Sequence, residues 1–239
     1  MANVALITGS AVRLGREIAQ HLAIKGWDLA LHYNSSSKEI SDFETDLKKY
    51  FPGQRFYTFQ ADLGATDQTQ GLLKFVLDRF GHLDLLINNA SVFERSSLKT
   101  TSTELMILQM MINYMAPFIL MHEYANNSNK GLIINIVDTG ISQNNSDYLS
   151  YSLSKKSLWE LTKMAALELA PHFRVNAIAP GAILPPAGKD KSYLQKIALN
   201  TPMKIPTGVN PVLKSIDYII DNEDLTGQLI YCDGGGHLL

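Results

Sequence analysis

The sequence predicts an α/β protein with a three-layer Rossmann fold, in which a doubly wound, seven-stranded parallel sheet forms a single domain over residues 1–239. Short apolar runs alternate with helical patterns along the chain, and polar or glycine-rich motifs follow nearly every run. Apolar strands in such alternation indicate a parallel sheet covered by helices on both faces. Right-handed crossovers then place ligands beyond the carboxyl ends of the strands.

The elements follow in order from the N-terminus. Residues 3–8 (NVALIT) form an apolar run, and helical spacing follows through Ile18, Leu22 and Ile24. Residues 132–137 (LIINIV) form a similar run in the middle of the chain. The predicted strands are 3–8, 28–33, 55–60, 83–88, 131–137, 173–179 and 227–232. The predicted helices are 14–26, 37–51, 66–80, 101–127, 149–170, about 190–199 and about 211–222.

Composition predicts one compact globular domain. The 239 residues, 46% of them hydrophobic, suffice for a single α/β core and exclude a disordered chain. A net charge of −2 and a pI of about 6.3 give no reason to expect nucleic acid or a membrane as a partner. We expect no secretory segment and no run long enough to span a bilayer. The single cysteine, Cys232, is predicted to be a buried core residue and favours a reducing, cytoplasmic compartment.

A glycine-rich loop lies between the first predicted strand and the first helix. Gly9 permits a tight turn there, and Gly15 allows the helix to pack closely on the strand. The helix N-terminus presents free N–H groups to an anion. A strand, a glycine turn and a helix in this order predict a site for the pyrophosphate of a dinucleotide.

Tyr151 and Lys155 form a Tyr-x-x-x-Lys pair, and Asp138 stands thirteen residues before the tyrosine. Residues four apart share one face of a helix, so the phenol and the ammonium can act on the same site. A cation beside a phenol stabilises the phenolate, so we expect Lys155 to lower the pKa of Tyr151 towards neutrality. Asp138, at the end of a predicted strand, can join the same proton relay.

The segment after the second strand predicts the choice of cofactor. An NAD site normally has an acidic residue here, which holds the ribose 2′-hydroxyl and would repel a 2′-phosphate. Residues 32–37 (HYNSSS) contain no acid, and the first one is Glu39. The hydroxyls of Ser35 and Ser36, helix N-terminal amides and the charge of Arg13 suit a phosphate, so NADPH is favoured. The alternative is that the serines only form a loop and a helix N-cap.

These motifs resemble the short-chain dehydrogenase/reductase family over essentially the full chain. The landmarks are Thr8-Gly9 with Gly15, Asp62-Leu63, Asn88-Asn89-Ala90, Asn113, Tyr151 with Lys155, Pro180-Gly181, and Thr226-Gly227 with Asp233-Gly234-Gly235. The resemblance implies that Asp62 and Leu63 flank the adenine, that Asn113 anchors a water of the proton relay, and that Lys155 also holds the nicotinamide ribose. The implied cofactor-binding residues are Gly9, Arg13, Leu14, Gly15, His32, Tyr33, Asn34, Ser35, Ser36, Asp62, Leu63, Asn89, Ala90, Ser91, Lys155, Pro180, Gly181 and Ile183.

Two departures from the common family pattern resemble its pteridine reductase branch, whose members reduce dihydropteridines such as dihydromonapterin and dihydrofolate. Arg13 replaces the middle glycine of the loop, and Asp138 replaces the usual catalytic serine. The branch implies that Phe93 stacks on the pterin and that Arg13 and Ser91 contact both ligands. The implied substrate-binding residues are Arg13, Ser91, Phe93, Asp138, Tyr151 and Leu184, and the implied catalytic residues are Asp138, Tyr151, Lys155 and Asn113.

The chemistry of the residues supports a pterin over a ketone. An aromatic face positions a flat heterocycle, and Asp138 can accept hydrogen bonds from its N–H groups. A simple ketone reductase needs a neutral donor beside Tyr151, since an ionised Asp138 would repel the developing alkoxide. Alternatively, Asp138 only caps a strand end and Phe93 packs in the core.

Two other functions remain open from the sequence. The alternatives are a carbonyl or 3-oxoacyl reductase of the same family, and a nucleotide-bound regulatory protein without turnover. The six histidines show no metal-ligand spacing, so no metal is expected. A segment from about 182 to 204, rich in proline and glycine (Pro185, Pro186, Gly188 and Pro202), is predicted to be a substrate lid. The resemblance implies a homotetramer with contacts through helices 101–127 and 149–170.

Overall fold

A computed structural model of the chain describes residues 2–144, 146–185, 188, 190 and 192–239. Within these residues, seven strands form one sheet: β1 (Val4–Ile7), β2 (Asp28–Tyr33), β3 (Phe56–Gln60), β4 (Leu85–Asn88), β5 (Gly131–Ile136), β6 (Phe173–Pro180) and β7 (Leu229–Cys232). The same part of the chain forms the helices α1 (Arg13–Ile24), α2 (Ser37–Tyr50), α3 (Thr66–Phe80), α4 (Thr103–Met110), α5 (Ala116–Asn127), α6 (Leu149–Leu169), α7 (Ser192–Ala198) and α8 (Asn210–Asp221).

The sheet order is β3-β2-β1-β4-β5-β6-β7, and neighbouring strands run parallel. The order reverses between β1 and β4, because the chain first builds outward through β3 and then returns to the other side of β1. Loops at such a reversal diverge and leave a crevice at the carboxyl ends of the strands. The doubly wound parallel sheet predicted from the sequence is confirmed.

Helices bury an apolar core on each face of the sheet. On one face, Ile18 of α1, Phe43 of α2 and Ile216 of α8 pack in one cluster. On the other face, Leu72 of α3 and Tyr124 of α5 pack in a second cluster. Since both faces are covered, the central strands carry almost continuous apolar sequences. This two-sided burial is why the strand positions are visible in the sequence.

The predicted helix 101–127 is not continuous in the structure. α4 begins at Thr103, after Ser102 caps it by accepting a 3.1 Å hydrogen bond from the amide of Leu105. A π turn, Met111–Met115, then separates α4 from α5. Pro117 has no N–H to donate to the residue 113 carbonyl, which is where an α-helix needs a donor. The interruption therefore falls at Asn113.

The expectation that no segment is long enough to span a bilayer is wrong by length and composition. The stretch Thr103–Asn127 covers 25 residues, and an 18-residue window within it has a mean hydropathy of 1.4, so it is long and apolar enough to cross a bilayer. In the fold this stretch packs on α3 and α6 and carries the buried polar side chains of Gln109 and Asn113. The core helix of a soluble protein can be equally long and apolar, so the length and hydropathy of this stretch are weak evidence for a membrane span.

Among the described residues, two short 3₁₀ turns were not predicted, and they lie against each other. The first, Thr139–Ser142, follows β5, and the second, Gly236–Leu238, ends the chain. Asp138 caps the first turn, since its Oδ1 accepts a 2.7 Å hydrogen bond from the amide of Gly140. Turns of three or four residues have no hydrophobic periodicity, so the sequence pattern does not reveal them.

Candidate active site

A cavity of about 620 Å³ opens at the carboxyl ends of the central strands. This is the position at which a doubly wound sheet binds ligands, and the volume suits a cofactor with a small substrate. Most predicted site residues line the cavity: Gly9, Arg13, Leu14, Gly15, His32, Asn34, Asp62, Leu63, Asn89, Ala90, Ser91, Phe93, Asp138, Tyr151, Lys155, Pro180, Gly181, Ile183 and Leu184.

Four predicted residues do not line the cavity. Asn113 is buried behind it, Tyr33 packs against the core, and Ser35 and Ser36 lie in the turn that precedes α2. The sequence analysis gave no individual site role to these lining residues: Val12, Val92, Ile112, Ile136, Val137, Thr139 and, within the predicted lid, Ala182 and Tyr193. Most of them are apolar, and an apolar side chain in a cavity wall has the same sequence pattern as one in the core.

The glycine loop has the geometry of an anion cradle. Gly9 has a φ of 65°, which favours glycine. A Cβ on Gly15 would lie 2.1 Å from the Gly9 carbonyl oxygen, so any side chain there would push the loop away from α1. Asn89 donates a 2.8 Å hydrogen bond from Nδ2 to the Thr8 carbonyl, which fixes the loop to the end of β4. The open cradle at the N-terminus of α1 fits a pyrophosphate.

His32, the fifth residue of β2, connects this loop to the neighbouring strands. Its Nδ1 accepts a 3.0 Å hydrogen bond from the Gly9 amide, and its Nε2 lies 3.0 Å from the Ala61 carbonyl. An amide can only donate and a carbonyl can only accept, so the ring is neutral with its proton on Nε2. Burial lowers the pKa of His32 from 6.5 to about 4, although the bond to Ala61 opposes this shift. The imidazole therefore holds the loop as a neutral bridge at physiological pH.

The turn after β2 suits a phosphate. Ser36 is the residue before α2, and its side chain makes no capping hydrogen bond. The hydroxyl is thus not used for the N-cap role that the sequence leaves open. The first turn of α2 contains Glu39 as its acidic residue, three positions beyond Ser36. A phosphate at this turn would meet the amino end of α2.

Asp138 and Tyr151 form a direct pair at the floor of the cavity. Tyr151 Oη donates a 3.0 Å hydrogen bond to Asp138 Oδ2. Burial and the neighbouring Asp138 raise the pKa of Tyr151 well above its ordinary value. The expectation that Lys155 lowers this pKa is therefore wrong for the protein alone. Burial also raises the pKa of Asp138, against the bonds from Gly140 and Tyr151 and the charge of Lys155.

Lys155 lies one helical turn beyond Tyr151 on α6. Its Nζ donates a 2.8 Å hydrogen bond to the Ile136 carbonyl and sits 6.0 Å from the centroid of the Tyr151 ring. Burial lowers the pKa of Lys155 to about 8, while the charge of Asp138 opposes this shift. The ammonium is thus charged at neutral pH and close to losing its proton.

Asn113 fixes the loop that crosses the cavity after β4. Its Oδ1 accepts hydrogen bonds from the Val92 amide at 2.8 Å and the Ser91 hydroxyl at 3.1 Å. Its Nδ2 donates to the Val92 carbonyl at 2.9 Å and to Ser154 Oγ at 3.0 Å. The side chain therefore positions Ser91 and connects this loop to α6. Its role as the anchor of a water stays a prediction.

Phe93 stands at the mouth of the cavity and is 57% exposed, so it is not a core residue. Its ring meets the Tyr151 ring edge-on at 4.6 Å and stacks on Tyr148 at 4.6 Å with an interplanar angle of 11°. Tyr148 was missed, although it stands three residues before Tyr151 and so reaches the same region. The two tyrosines and Phe93 form an aromatic corner beside the Asp138–Tyr151 pair.

The predicted lid begins over the cofactor loop. The guanidinium of Arg13 donates a 3.1 Å hydrogen bond from Nη1 to the Pro185 carbonyl. Ala182, Ile183, Leu184 and Tyr193 of this segment line the cavity. Pro186 lies outside the described residues, as do 187, 189 and 191. The described part of the segment thus covers one side of the cavity.

Comparisons with known proteins agree with this geometry. The family model for the short chain dehydrogenases matches residues 3–194, which is most of the chain. The chain therefore belongs to the short-chain dehydrogenase family, a class of nicotinamide-dependent oxidoreductases. The resemblance stated from the sequence motifs is confirmed.

Within this family, the chain is similar to reductases of pterins and dihydrofolate. The chain is 30% identical to the dihydromonapterin reductase of Enterobacter sp. (strain 638), over 96% of this chain and 95% of that enzyme. It is also 30% identical to pteridine reductase 1 of Leishmania tarentolae, over 83% of this chain and 84% of that enzyme. The crystal structure of FolM alternative dihydrofolate reductase 1 from Brucella canis, complexed with NADP, matches with a TM-score of 0.91 at 32% identity, over 99% of this chain and 95% of that one.

Proposed function

We propose that the protein is an NADPH-dependent pterin reductase that adds hydrogen across a C=N bond of a dihydropteridine, dihydromonapterin or dihydrofolate. The observation that carries this proposal is the hydrogen bond from Tyr151 to Asp138 directly beside the exposed ring of Phe93. It puts a proton donor, a carboxylate and an aromatic platform in one cavity. The names of the two relatives and of the Brucella protein support the same substrate class.

The aromatic corner and Asp138 suit the two kinds of surface that a pterin presents. A flat heterocycle gains roughly 0.5–1.5 kcal/mol from stacking on an aromatic ring beyond its burial. Tyr148 covers one face of Phe93, so the other face is the one that meets the substrate. Ring N–H and amino groups of the pterin donate to the Asp138 carboxylate, which already accepts from Gly140 and Tyr151.

The residues of the chain supply the proton half of the reaction. Bound NADPH supplies the hydride for the substrate carbon, and the adjacent nitrogen needs one proton. Tyr151, held as a neutral phenol, donates that proton. Once the phenol has lost its proton, Asp138, whose pKa is raised by burial, takes up a proton from solvent and passes it to Tyr151 across the contact of 3.0 Å. Lys155 stabilises the transient phenolate and holds the ribose of the nicotinamide.

NADPH is preferred over NADH in this proposal because of the turn after β2. The hydroxyls of Ser35 and Ser36 and the amino end of α2 offer donors to a 2′-phosphate, and residues 32–37 contain no acid, the first being Glu39 in the first turn of α2. The NADP in the Brucella structure supports this assignment. A carbonyl or 3-oxoacyl reductase is disfavoured, since Asp138 gives the cavity a carboxylate where such an enzyme needs a neutral donor.

The test is NADPH consumption at 340 nm with dihydromonapterin, dihydrobiopterin, dihydrofolate and a 3-oxoacyl thioester side by side, for the wild type and for Asp138→Ser. We expect turnover of at least one pterin by the wild type and loss of this activity in Asp138→Ser. NADH serves as the cofactor control and should be the poorer donor. Activity on the thioester alone would overturn the proposal, and so would equal pterin turnover by Asp138→Ser.

We further propose a homotetramer that associates through α4 to α6. Apolar side chains stand exposed on these helices, among them Ile107, Phe118, Leu153, Met164 and Leu167, of which Leu167 is 85% exposed. Exposed apolar patches of this kind commonly mark interfaces. Light scattering should give four chains per particle, and a Met164→Glu/Leu167→Glu variant should dissociate. A monodisperse wild-type monomer would contradict this.

We also propose a cytoplasmic location, which is supported by the single buried cysteine, Cys232. Fractionation of cells that express the tagged chain tests it. Recovery in the cytosolic fraction is expected, and recovery with membranes or in the medium would contradict it.

A further inference from the structure

The carboxylate of Asp233, just after β7, is buried behind the wall of the cavity, and both of its oxygens accept hydrogen bonds. Its Oδ2 accepts hydrogen bonds from the Thr139 hydroxyl and, at 2.7 Å, from the His237 amide. Its Oδ1 accepts from the Gly235 amide at 3.0 Å, and the His237 ring is 3.0 Å from Oδ2. Burial alone would raise the pKa of Asp233, but the bonds from Thr139 and His237 lower it, so the group is ionised at neutral pH.

Through Thr139, this carboxylate holds the turn that carries the catalytic carboxyl group. Thr139 follows Asp138 directly and lines the cavity. The turn that begins at Thr139 supplies the Gly140 amide, which donates to Asp138 Oδ1 at 2.7 Å. A second connection joins the same pieces, since Gln143 Nε2 donates to the carbonyls of Gly236 at 3.1 Å and Leu239 at 3.0 Å. The end of the chain is thus bound to both ends of this turn.

Asp233 also supports the opposite wall and the far end of the lid. A Cβ on Gly181 would lie 2.9 Å from the Asp233 Cβ, so the cavity wall at Gly181 rests directly on this residue. The carbonyl of the next residue, Gly234, accepts a 3.1 Å hydrogen bond from the Met203 amide. Asp233 therefore contacts both the turn after Asp138 and the cavity wall at Gly181, and Gly234 binds the far end of the predicted lid at Met203.

We propose that Asp233 is a positioning residue for the reaction, which sets the orientation of Asp138 by holding the hydroxyl of Thr139. It is not among the residues that line the cavity. Ninety-four positions separate it from Thr139 in the sequence. The effect on turnover rests on the proposed pterin reduction. The effect of Asp233 on the orientation of Asp138 does not depend on which substrate is bound.

The first test is a double-mutant cycle of Asp233→Asn and Thr139→Val. Asparagine keeps the shape of the side chain and removes the charge, and valine removes only the hydroxyl. Small displacements of a catalytic group cost up to about a hundredfold, so we expect each variant to lower kcat by roughly tenfold or more. KM for NADPH should change by less than about threefold. The double variant should be no worse than the poorer single variant, because both act on the Thr139–Asp233 contact: asparagine has one acceptor oxygen for the donors that the carboxylate meets with two.

Two controls separate positioning from folding. Thr139→Ser keeps the hydroxyl, so its kcat should lie far above that of Thr139→Val. Asp217→Asn removes another aspartate–histidine pair, 2.9 Å from His21 and remote from the cavity. If Asp233→Asn lowers kcat no more than Asp217→Asn at a matched loss of thermal stability, the proposal is overturned. Multiplicative effects in the double variant would overturn it as well.

A second measurement decides the inference even if the wild type reduces no pterin. The 13C signal of the Asp138 carboxyl, assigned with Asp138→Asn, is titrated in the wild type and in Thr139→Val. A released turn weakens the bond from Gly140, which favours the ionised carboxyl, so the pKa of Asp138 should rise. An unchanged titration would overturn the positioning role of the Asp233–Thr139 contact, whereas a silent substrate assay with a shifted titration would overturn the pterin assignment alone.

Discussion

Tyr151 donates its phenolic hydrogen to Oδ2 of Asp138 across 3.0 Å, and both groups have pKa values raised by burial. The pair therefore holds its protons up to a higher pH than either group does in water. This suits a reaction that consumes a proton. Lys155 lies on the same helix face, with its Nζ 6.0 Å from the centre of the Tyr151 ring.

Tyr151→Phe should abolish turnover while the protein still binds NADPH. The ring and its edge contact with Phe93 are kept, and only the proton donor is lost. Loss of a general acid costs about 10²–10⁴ in rate. Stopped-flow turnover and titration of NADPH fluorescence measure the two effects. Lost cofactor affinity with intact chemistry would contradict the role assigned to Tyr151.

The alkaline limb of the pH profile should report Lys155. Its pKa of about 8 means that the ammonium is charged below this pH and becomes neutral as the pH rises through it. Since kcat/KM reports the free enzyme, kcat/KM for NADPH should fall above about pH 8. Lys155→Arg keeps its charge throughout this range, so its limb should move to higher pH at a lower maximum. An identical limb in both proteins would show that another group titrates there.

Acid should destabilise the fold through His32. The unfolded residue takes up a proton near pH 6.5, whereas the folded one does so near pH 4. Between these values the unfolded chain binds more protons, so the free energy of unfolding falls as the pH falls, by roughly 3 kcal/mol in total. Denaturant unfolding at pH 7, 5.5 and 4.5 measures it.

His32→Gln is the matched variant for this linkage. Its amide can accept from Gly9 and donate to Ala61 but does not titrate, so its stability should depend less on pH over the same range. Equal slopes for the two proteins would assign the acid sensitivity to other groups.

Gly15→Ala should damage the cofactor site while Gly53→Ala leaves it intact. The new Cβ at position 15 would lie 2.1 Å from the Gly9 carbonyl oxygen, so the loop must move. At Gly53 a Cβ would meet nothing within 4 Å. We expect NADPH affinity to fall by about tenfold or more in the first variant and by less than about twofold in the second, measured by fluorescence titration. Equal affinities would show that the loop does not hold the cofactor.

The sheet and the cofactor loop were predictable because their signals are local. Buried parallel strands are apolar throughout, and the glycine turn follows the first of them directly. Tyr151 and Lys155 lie on one helix face, as their spacing of four residues predicts. The family resemblance names Arg13, Asp138 and Phe93 as site residues, and all three line the cavity, while their contacts with a substrate stay predictions.

What the sequence did not predict depends on contacts between distant segments. The contact of Asp233 with Thr139 and the stack of Phe93 on Tyr148 join residues that no periodicity relates. The raised pKa of Tyr151 follows from burial beside Asp138, which spacing alone does not give. The interruption of the predicted helix has a local signal, the proline at position 117, which has no N–H for the α-helical hydrogen bond.

Deuterium transfer tests the central claim most directly. The wild type is incubated with NADPH that carries two deuterium atoms at C4 of the nicotinamide and with a dihydropterin, and the reduced product is analysed by mass spectrometry and NMR. We predict one deuterium per molecule of product, bound to a ring carbon of the pterin, and product formation slower by about 10²–10⁴ in Tyr151→Phe. A product without deuterium, or an unchanged pterin in the presence of bound NADPH, would contradict the assignment.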